Sequence, residues 1–188
     1  MLNGRNRTAR TSGQTGYLAS DKLPAMSATA PARLPIPDFL THLPVYNGLP
    51  VPFTQAVIEG VPDFRAMDFE KILLCVEQRL CAICGHRLGE YCYFIGGPES
   101  RKNHLFTDPA THLKCADFAT RICPFVSGRT DYSSRPIDET KLAIETRVSD
   151  VRPHTMYMLR ARTKSIHIVK AGGAFAIQAG PWVGERVI

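Results

Sequence analysis

The sequence predicts an α+β fold in which one helix precedes a cysteine-rich core and an antiparallel β-meander follows it. Three observations support this prediction. Two ligand-spaced pairs, Cys81-Ala82-Ile83-Cys84 and His112-Leu113-Lys114-Cys115, occupy the middle of the chain. An apolar stripe at helical spacing comes before the first pair, and strand-like alternation begins at Thr155. The 188 residues suffice for one core with a small appended subdomain.

The composition is that of a folded globular protein, with 44% hydrophobic and 21% charged residues. The chain does not open with the apolar segment of a secretory signal, and no apolar run approaches the ~18–20 residues of a membrane span. We therefore expect a cytoplasmic protein with no membrane partner. In a reducing compartment, six cysteines favour metal ligation over disulfides.

The net charge of +6 is unevenly distributed. Residues 1–33 carry five Lys and Arg against one Asp, residues 34–150 carry 12 against 15 acidic residues, and residues 151–188 carry six against one Glu. The basic excess therefore lies at the two ends. Basic ends can contact phosphate backbones or simply keep a protein in solution, and for the N-terminal end we favour the second role.

The chain divides into three predicted parts. Residues 1–30 form a disordered basic tail with little to bury, and Met26 is an alternative translation start. Residues 31–128 hold a proline-rich arm, a helix and the metal-binding core. Residues 129–188 hold a loop and C-terminal strands packed on that core, with a short helix near 138–148.

The arm has seven prolines between residues 31 and 63, which exclude long helices. We expect it to pack its apolar side chains, such as Phe39, Tyr46 and Phe53, against the core; the alternative is a proline-rich ligand for a partner. The helix that follows is predicted at 66–80. Its apolar residues recur at helical spacing: Phe69, Ile72, Leu73, Val76 and Leu80.

The first ligand pair is predicted to form a knuckle. Zinc prefers four sulfur or imidazole ligands in a tetrahedron, and two cysteines separated by two residues can turn both sulfurs toward one point. Gly85 directly follows and can adopt the positive φ that such a turn needs.

The second ligand pair is predicted at the start of a helix. Tyr91–Ile95 looks like a strand, Gly96-Gly97-Pro98 like a break, and His104–Phe106 like the returning strand of a hairpin. Asp108-Pro109 is a typical helix start, which would place His112 and Cys115 on one face. The helix should end near Cys123, before Pro124.

These features predict one structural Zn²⁺ held by Cys81, Cys84, His112 and Cys115. Cys92 and Cys123 are the competing ligands, although alternation with tyrosines favours a core position for Cys92. Cys75 lies on an apolar helical face and is expected in the core.

The order of knuckle, hairpin and ligand-bearing helix resembles a treble-clef zinc finger. The chain is also similar to short zinc proteins of bacteriophages and actinobacteria over residues 35–128. The similar elements are Cys81-x-x-Cys84-Gly85, a Phe-Ile-Gly-Gly-Pro strand end, His112-x-x-Cys115-Ala116 and Cys123-Pro124-Phe125. This resemblance implies a fold and no activity.

The C-terminal part is predicted to form a meander of three or four strands over 155–162, 165–170 and 174–178, with a hairpin at Gly172-Gly173. The meander either completes the core or presents an outward binding face. The residues of that face would be Arg160, Arg162, Lys164 and Lys170.

The function that we expect is non-enzymatic binding of a macromolecule, with nucleic acid as the first partner and a host or phage protein as the second. No motif indicates a small-molecule substrate. One alternative is a ββα-metal (HNH-like) nuclease using His104 with Asn103, although no second His, Asp or Asn lies on the helix face of His112 to hold a catalytic metal. Glu90 is the candidate acid or base for hydrolytic zinc chemistry, but four protein ligands leave no room for a reactive water. The other alternative is a protein interaction or inhibitor module.

Overall fold

The computed structural model describes residues 34–129, 152–171 and 174–188. The predicted tail over 1–30, the alternative start at Met26 and the helix near 138–148 lie outside these residues. Within them, four small antiparallel sheets and three α-helices form an α+β fold, which confirms the predicted class. No helix in the described ranges is both long and apolar enough to cross a membrane.

The strands and helices are short. In chain order the strands are β1 (Val45–Tyr46), β2 (Leu49–Pro50), β3 (Gln55–Ile58), β4 (Val61–Met67), β5 (Tyr91–Gly96), β6 (Leu105–Phe106), β7 (Tyr157–Arg162), β8 (His167–Ala171), β9 (Ala174–Gln178) and β10 (Gly184–Val187). The helices are α1 (Phe69–Gln78), α2 (Pro98–Asn103) and α3 (Leu113–Ile122).

The proline-rich arm forms two β-hairpins that the sequence prediction did not include. β1 pairs with β2, and β3 pairs with β4. Asn47-Gly48 and Glu59-Gly60 make the turns, and all four residues have φ between 50° and 81°. Two consecutive positive φ values are typical of the tight turn that matches strand twist, and they explain why glycine stands second in each turn.

α1 is shorter than the predicted 66–80, because residues 66 and 67 belong to β4. The side chain of Asp68 caps its N-terminus by accepting a hydrogen bond from the Lys71 amide at 3.2 Å. Arg79 ends it in the left-handed conformation, with φ at 59°. The Arg79 guanidinium donates to the carbonyl of Ile166 at 2.6 Å and so joins this end of the helix to the C-terminal part.

The predicted hairpin of residues 91–95 with 104–106 is not formed. β5 pairs with β7 from Tyr91↔Arg162 to Gly96↔Tyr157, whereas β6 pairs with β9. Pro98 begins α2 instead of completing a turn, because an extended Gly97 followed by proline at the first helical position is a favourable helix start. α2 therefore separates β5 and β6 into different sheets.

The predicted C-terminal meander is also wrong in its pairing. β8 and β9 form the expected hairpin, but β7 lies between β5 and β10, in the order β10-β7-β5. The other three-stranded sheet has the order β6-β9-β8. The C-terminal strands thus complete two sheets with strands of the central part.

α3 begins at Leu113 rather than after Asp108-Pro109. The backbone before it is engaged elsewhere, since Thr111 exchanges two hydrogen bonds with Tyr93 in a β-bridge. A residue in a bridge cannot be helical, so the helix starts only after His112. It ends at Ile122 with Cys123 as C-cap, as Pro124 predicted.

Two groups of buried side chains stabilise the fold. The larger lies between α1, β5, β7 and β9, and its members are Ile72, Val76, Cys92, Phe94, Phe106, Ala110, Leu159, Ala161, Ile166, Ile177 and Ala179. The smaller joins the arm to α3, and its members are Leu40, Leu43, Cys81, Cys84, Cys115 and Phe118. Three of the four predicted metal ligands therefore belong to a hydrophobic cluster.

Candidate metal centre

The first ligand pair lies in a tight turn after α1. The Cys81 amide donates to the His86 carbonyl at 2.8 Å, and the Gly85 amide donates back to the Cys81 carbonyl at 2.9 Å. Gly85 has φ at +72°, and a Cβ on it would lie 3.0 Å from the Phe53 ring. The predicted positive φ at Gly85 is thus confirmed, and the Phe53 ring gives a second reason for glycine, because it leaves little space for a side chain.

The second ligand pair begins α3. His112 is the N-cap with an extended backbone, and Cys115 lies three residues later in the first turn. The bridge between Thr111 and Tyr93, with N–O distances of 2.8 and 2.9 Å, determines where His112 emerges. The Ala82 amide of the knuckle donates to the Ala110 carbonyl at 3.0 Å, which holds the two ligand segments side by side.

The structure brings the four predicted ligands together. Sγ of Cys81, Cys84 and Cys115 and a ring nitrogen of His112 all lie within 4.8 Å of one another. Nδ1 of His112 is 3.3 Å from Sγ of Cys84 and 4.0 Å from Sγ of Cys115. Around a tetrahedral zinc with bonds of about 2.1 and 2.3 Å, neighbouring ligand atoms are roughly 3.6 Å apart. The donor set and its spacing therefore fit a tetrahedral ion.

The three cysteine ligands are buried, and the histidine is partly exposed. Cys81 and Cys115 are fully buried, Cys84 is 3% exposed, and His112 is half-buried. Nε2 of His112 donates to the carbonyl of Arg87 at 2.9 Å. Since a carbonyl only accepts, Nε2 carries the proton and Nδ1 presents its lone pair to the three sulfurs. This second hydrogen bond orients the ring as a ligand.

The thiols already favour negative charge at one sulfur. Hydrogen bonds from the side chains of Cys115 and Cys84, with those from the backbone amides of Cys84 and His112, lower the pKa of Cys81. The thiol of Cys115 donates to its neighbours and is buried, which raises its pKa. A divalent cation would replace these shared protons, and thiolates are the form that binds metal.

The arm contacts the knuckle by donating hydrogen bonds to the carbonyl groups of the knuckle. The amides of Thr54 and Phe53 donate to the carbonyls of Ala82 and Ile83 at 3.1 and 2.9 Å. Nε2 of His42 donates to the carbonyl of Cys84 at 2.9 Å. Sequence reasoning missed these supporting residues, because nothing local in residues 42–54 indicates contact with a turn so distant in the chain.

His42 makes a further contact with the knuckle. Its ring stacks on that of His86 at 4.5 Å between centroids, with an interplanar angle of 19°. Both rings are exposed. The knuckle is thus held from the arm side by backbone and side-chain contacts together.

The competing cysteines do not join the group. Cys92 is fully buried, with Sγ 3.7 Å from the Ala161 carbonyl, and burial raises its pKa to about 11. Burial, together with the nearby Cys81 and Cys84, raises the pKa of Cys75 to about 12. Cys123 is half-buried at the far end of α3. Cys75 and Cys92 are thus neutral core thiols.

The residues considered for a nuclease have other partners. The ring of His104 stacks on Trp182, with centroids 4.6 Å apart. Oδ1 of Asn103 accepts from the Leu105 amide at 2.9 Å, and Glu90 pairs with Arg162 at 2.6 Å. None of these residues belongs to the four-ligand group.

The four basic residues predicted to share an outward face are divided between two sheets. Arg160 and Arg162 lie on β7, Lys164 lies in the turn after it, and Lys170 lies on β8. Because β7 and β8 belong to different sheets, these residues do not line one strand surface. Only Arg160 and Arg162 share a face.

Comparisons with models of protein families, with curated proteins and with solved structures find no match for this chain. The kind of site is therefore inferred from the positions of its four ligand atoms alone. Three buried sulfurs and one oriented imidazole nitrogen form a group that could hold a metal ion.

Proposed function

We propose that this chain is a structural-zinc protein that binds a macromolecule, with nucleic acid as the first partner. The observation that carries the zinc assignment is the four-ligand group, whose atoms all lie within 4.8 Å of one another. Three thiolates and one imidazole suit zinc, and a set of four protein ligands is typical of its structural sites.

A structural role is favoured over a catalytic one. A catalytic zinc needs an open position for water and a neighbouring acid or base. Here four protein ligands would satisfy the tetrahedron, and Glu90, the residue considered as an acid or base, is engaged by Arg162. The ion would join the knuckle to α3 and, through the knuckle carbonyls, to the arm.

A relationship to treble-clef fingers is part of this proposal. It is supported by the order of a Cys-x-x-Cys knuckle and a helix whose N-cap and first turn carry the second ligand pair. The intervening hairpin is missing, so the proposal concerns the knuckle and the helix alone.

Nucleic acid is favoured as a partner by charge. Residues 151–188 carry six Lys and Arg against one Glu, and basic surfaces bind phosphate backbones. A host or phage protein is the second proposal. It is supported by apolar side chains on the β3–β4 hairpin, where Val57, Ile58 and Val61 are 52%, 44% and 49% exposed.

The zinc proposal is tested by elemental analysis of the purified protein. We expect one equivalent of zinc per chain, retained during dialysis and lost to a strong chelator with a fall in melting temperature. Well under one equivalent after growth with added zinc would overturn it.

The partner proposal is tested by titrating labelled single- and double-stranded DNA at several salt concentrations. Binding that weakens linearly in log salt supports nucleic acid. No binding at low salt, together with saturable capture of one discrete protein, would favour the second partner.

A further inference from the structure

One face of the β10-β7-β5 sheet combines aromatic and basic side chains. Tyr91 lies opposite Arg162 in the register, and Tyr93 lies opposite Arg160. Directly paired residues point to the same side of a sheet, so these four share a face. The opposite side carries the buried residues Cys92, Phe94, Leu159 and Ala161. We call the four side chains the Tyr–Arg face.

Arg160 is held on this face by an aromatic ring rather than by an acid. Its guanidinium carbon lies 3.8 Å from the centroid of Tyr91, so it rests on the ring. Within the described part of the chain, Arg160 has no carboxylate partner, and its Nε has no hydrogen-bond acceptor. Arg101 and Arg186, by contrast, pair with Glu185 and Asp117.

Arg162 is paired, but loosely. It meets Glu90 at 2.6 Å, with the two side chains 48% and 65% exposed. An ion pair this exposed contributes little, and a phosphate can take the place of the carboxylate. The guanidinium of Arg162 also lies 5.4 Å from the Tyr91 ring. The Tyr–Arg face thus presents one unpaired and one exchangeable guanidinium around a single aromatic platform.

We propose that the Tyr–Arg face binds single-stranded nucleic acid; this inference rests on the nucleic-acid function proposed above and names its site and ligand class. A base would stack on the Arg160 guanidinium, which Tyr91 supports from beneath. Phosphates would bind the outer donors of Arg160 and Arg162. Half-buried rings on a sheet surface reach bases only when the bases are unstacked, which favours a single strand over a duplex.

Glu90 should weaken nucleic-acid binding at the Tyr–Arg face by competing for Arg162, an effect that general basic charge would not produce. Its carboxylate occupies Arg162 in the free protein and must give way when a phosphate binds. Removing that carboxylate should therefore tighten binding. Glu185 offers a matched control, because it also pairs with an arginine but lies opposite Leu159, on the other side of the same sheet.

The experiment uses the full zinc-loaded chain and a fluorescent oligothymidine of about 15 nucleotides, followed by anisotropy at several salt concentrations. We expect Arg160→Gln to weaken binding about 5- to 10-fold and to reduce the salt slope by about one. Lys102→Gln removes the same charge from exposed α2 and should change the affinity by less than about twofold. Tyr91→Leu, which removes the ring, should weaken binding several-fold without changing the salt slope.

Glu90→Gln should tighten binding about 2- to 5-fold, whereas Glu185→Gln should not. Because Glu90 is well exposed, Glu90→Gln should fold, and it tests the Tyr–Arg face even if Arg160→Gln or Tyr91→Leu fails to fold. Wild-type protein that binds neither single strands nor duplex would overturn the nucleic-acid function itself. Binding that responds equally to the face variants and their controls, or that prefers duplex, would overturn the Tyr–Arg face and leave that function standing.

Discussion

The amide of Ala82 donates a hydrogen bond of 3.0 Å to the carbonyl of Ala110. Both residues are at least 95% buried, and each stands within two residues of a candidate metal ligand. This bond joins the knuckle to the segment that leads into α3. Because the segments are also held by the Thr111–Tyr93 bridge and by the arm, backbone contacts outside the ligands contribute to the geometry of the site.

The first prediction concerns the metal and the fold. Cys84→Ser should lose zinc and destabilise the region around the knuckle by more than an ordinary core substitution, since structural zinc contributes ~10 kcal/mol or more of apparent binding. Zinc content and thermal unfolding measure this together. Cys123→Ser is the control and should retain one equivalent. A melting curve unchanged by chelation would contradict a structural role.

The second prediction separates the role of His112 as a ligand from its role in packing. His112→Cys restores a four-ligand set and should retain zinc, whereas His112→Ala should lose it. Substitution with Co²⁺ gives a direct readout, because tetrahedral cobalt–thiolate absorption should be strong in the wild type and in His112→Cys. Strong tetrahedral absorption in His112→Ala would show that another group completes the site.

A third prediction tests the knuckle turn. Gly85→Ala should cost about 1–2 kcal/mol, because alanine is strained at φ of +72° and its Cβ would press on the Phe53 ring. Gly89→Ala is the matched control, since no atom lies within 4 Å of its added Cβ. Denaturant unfolding of both variants should show the difference. Equal stability would mean that the turn relaxes without cost.

The fourth prediction concerns the arm. Thr54 is 4% exposed, and its hydroxyl donates to the Ala82 carbonyl at 3.2 Å. Thr54→Val keeps the shape and removes this donor, so we expect a loss of about 1 kcal/mol and faster transfer of zinc to a chelator. Thr41→Val removes an exposed hydroxyl bond and should alter neither quantity. Unchanged zinc transfer in Thr54→Val would show that the arm does not support the site.

The fifth prediction follows from the thiol environments. Burial raises the pKa of Cys92 to about 11 and that of Cys75 to about 12, so both should resist alkylation in the native protein near pH 8. Half-buried Cys123 should react first, and the four-ligand cysteines only after chelation. Mass spectrometry of timed samples measures the order. Early labelling of Cys92 would contradict its core position.

Several features could be predicted from the sequence because they depend on neighbours along the chain. Ligand spacing identified Cys81, Cys84, His112 and Cys115, and apolar periodicity located α1 to within three residues at each end. Pro124 predicted where α3 ends. Each of these signals is local, because spacing, periodicity and proline geometry act over a few residues.

Only the tertiary structure decided which strands pair and what surrounds the ligands. The partners of β5 and β6 are β7 and β9, which come after residues 130–151 in the chain, and no local pattern names a distant strand. The bridge between Tyr93 and Thr111 keeps the chain extended up to His112. The pairing of β5 with β7 places Arg160 beside Tyr91, while Lys170 lies in another sheet. A folded chain must pair its buried backbone groups wherever the fold brings partners together. Non-local hydrogen bonds and burial therefore determined the start of α3, the support of the knuckle and the residues of the Tyr–Arg face.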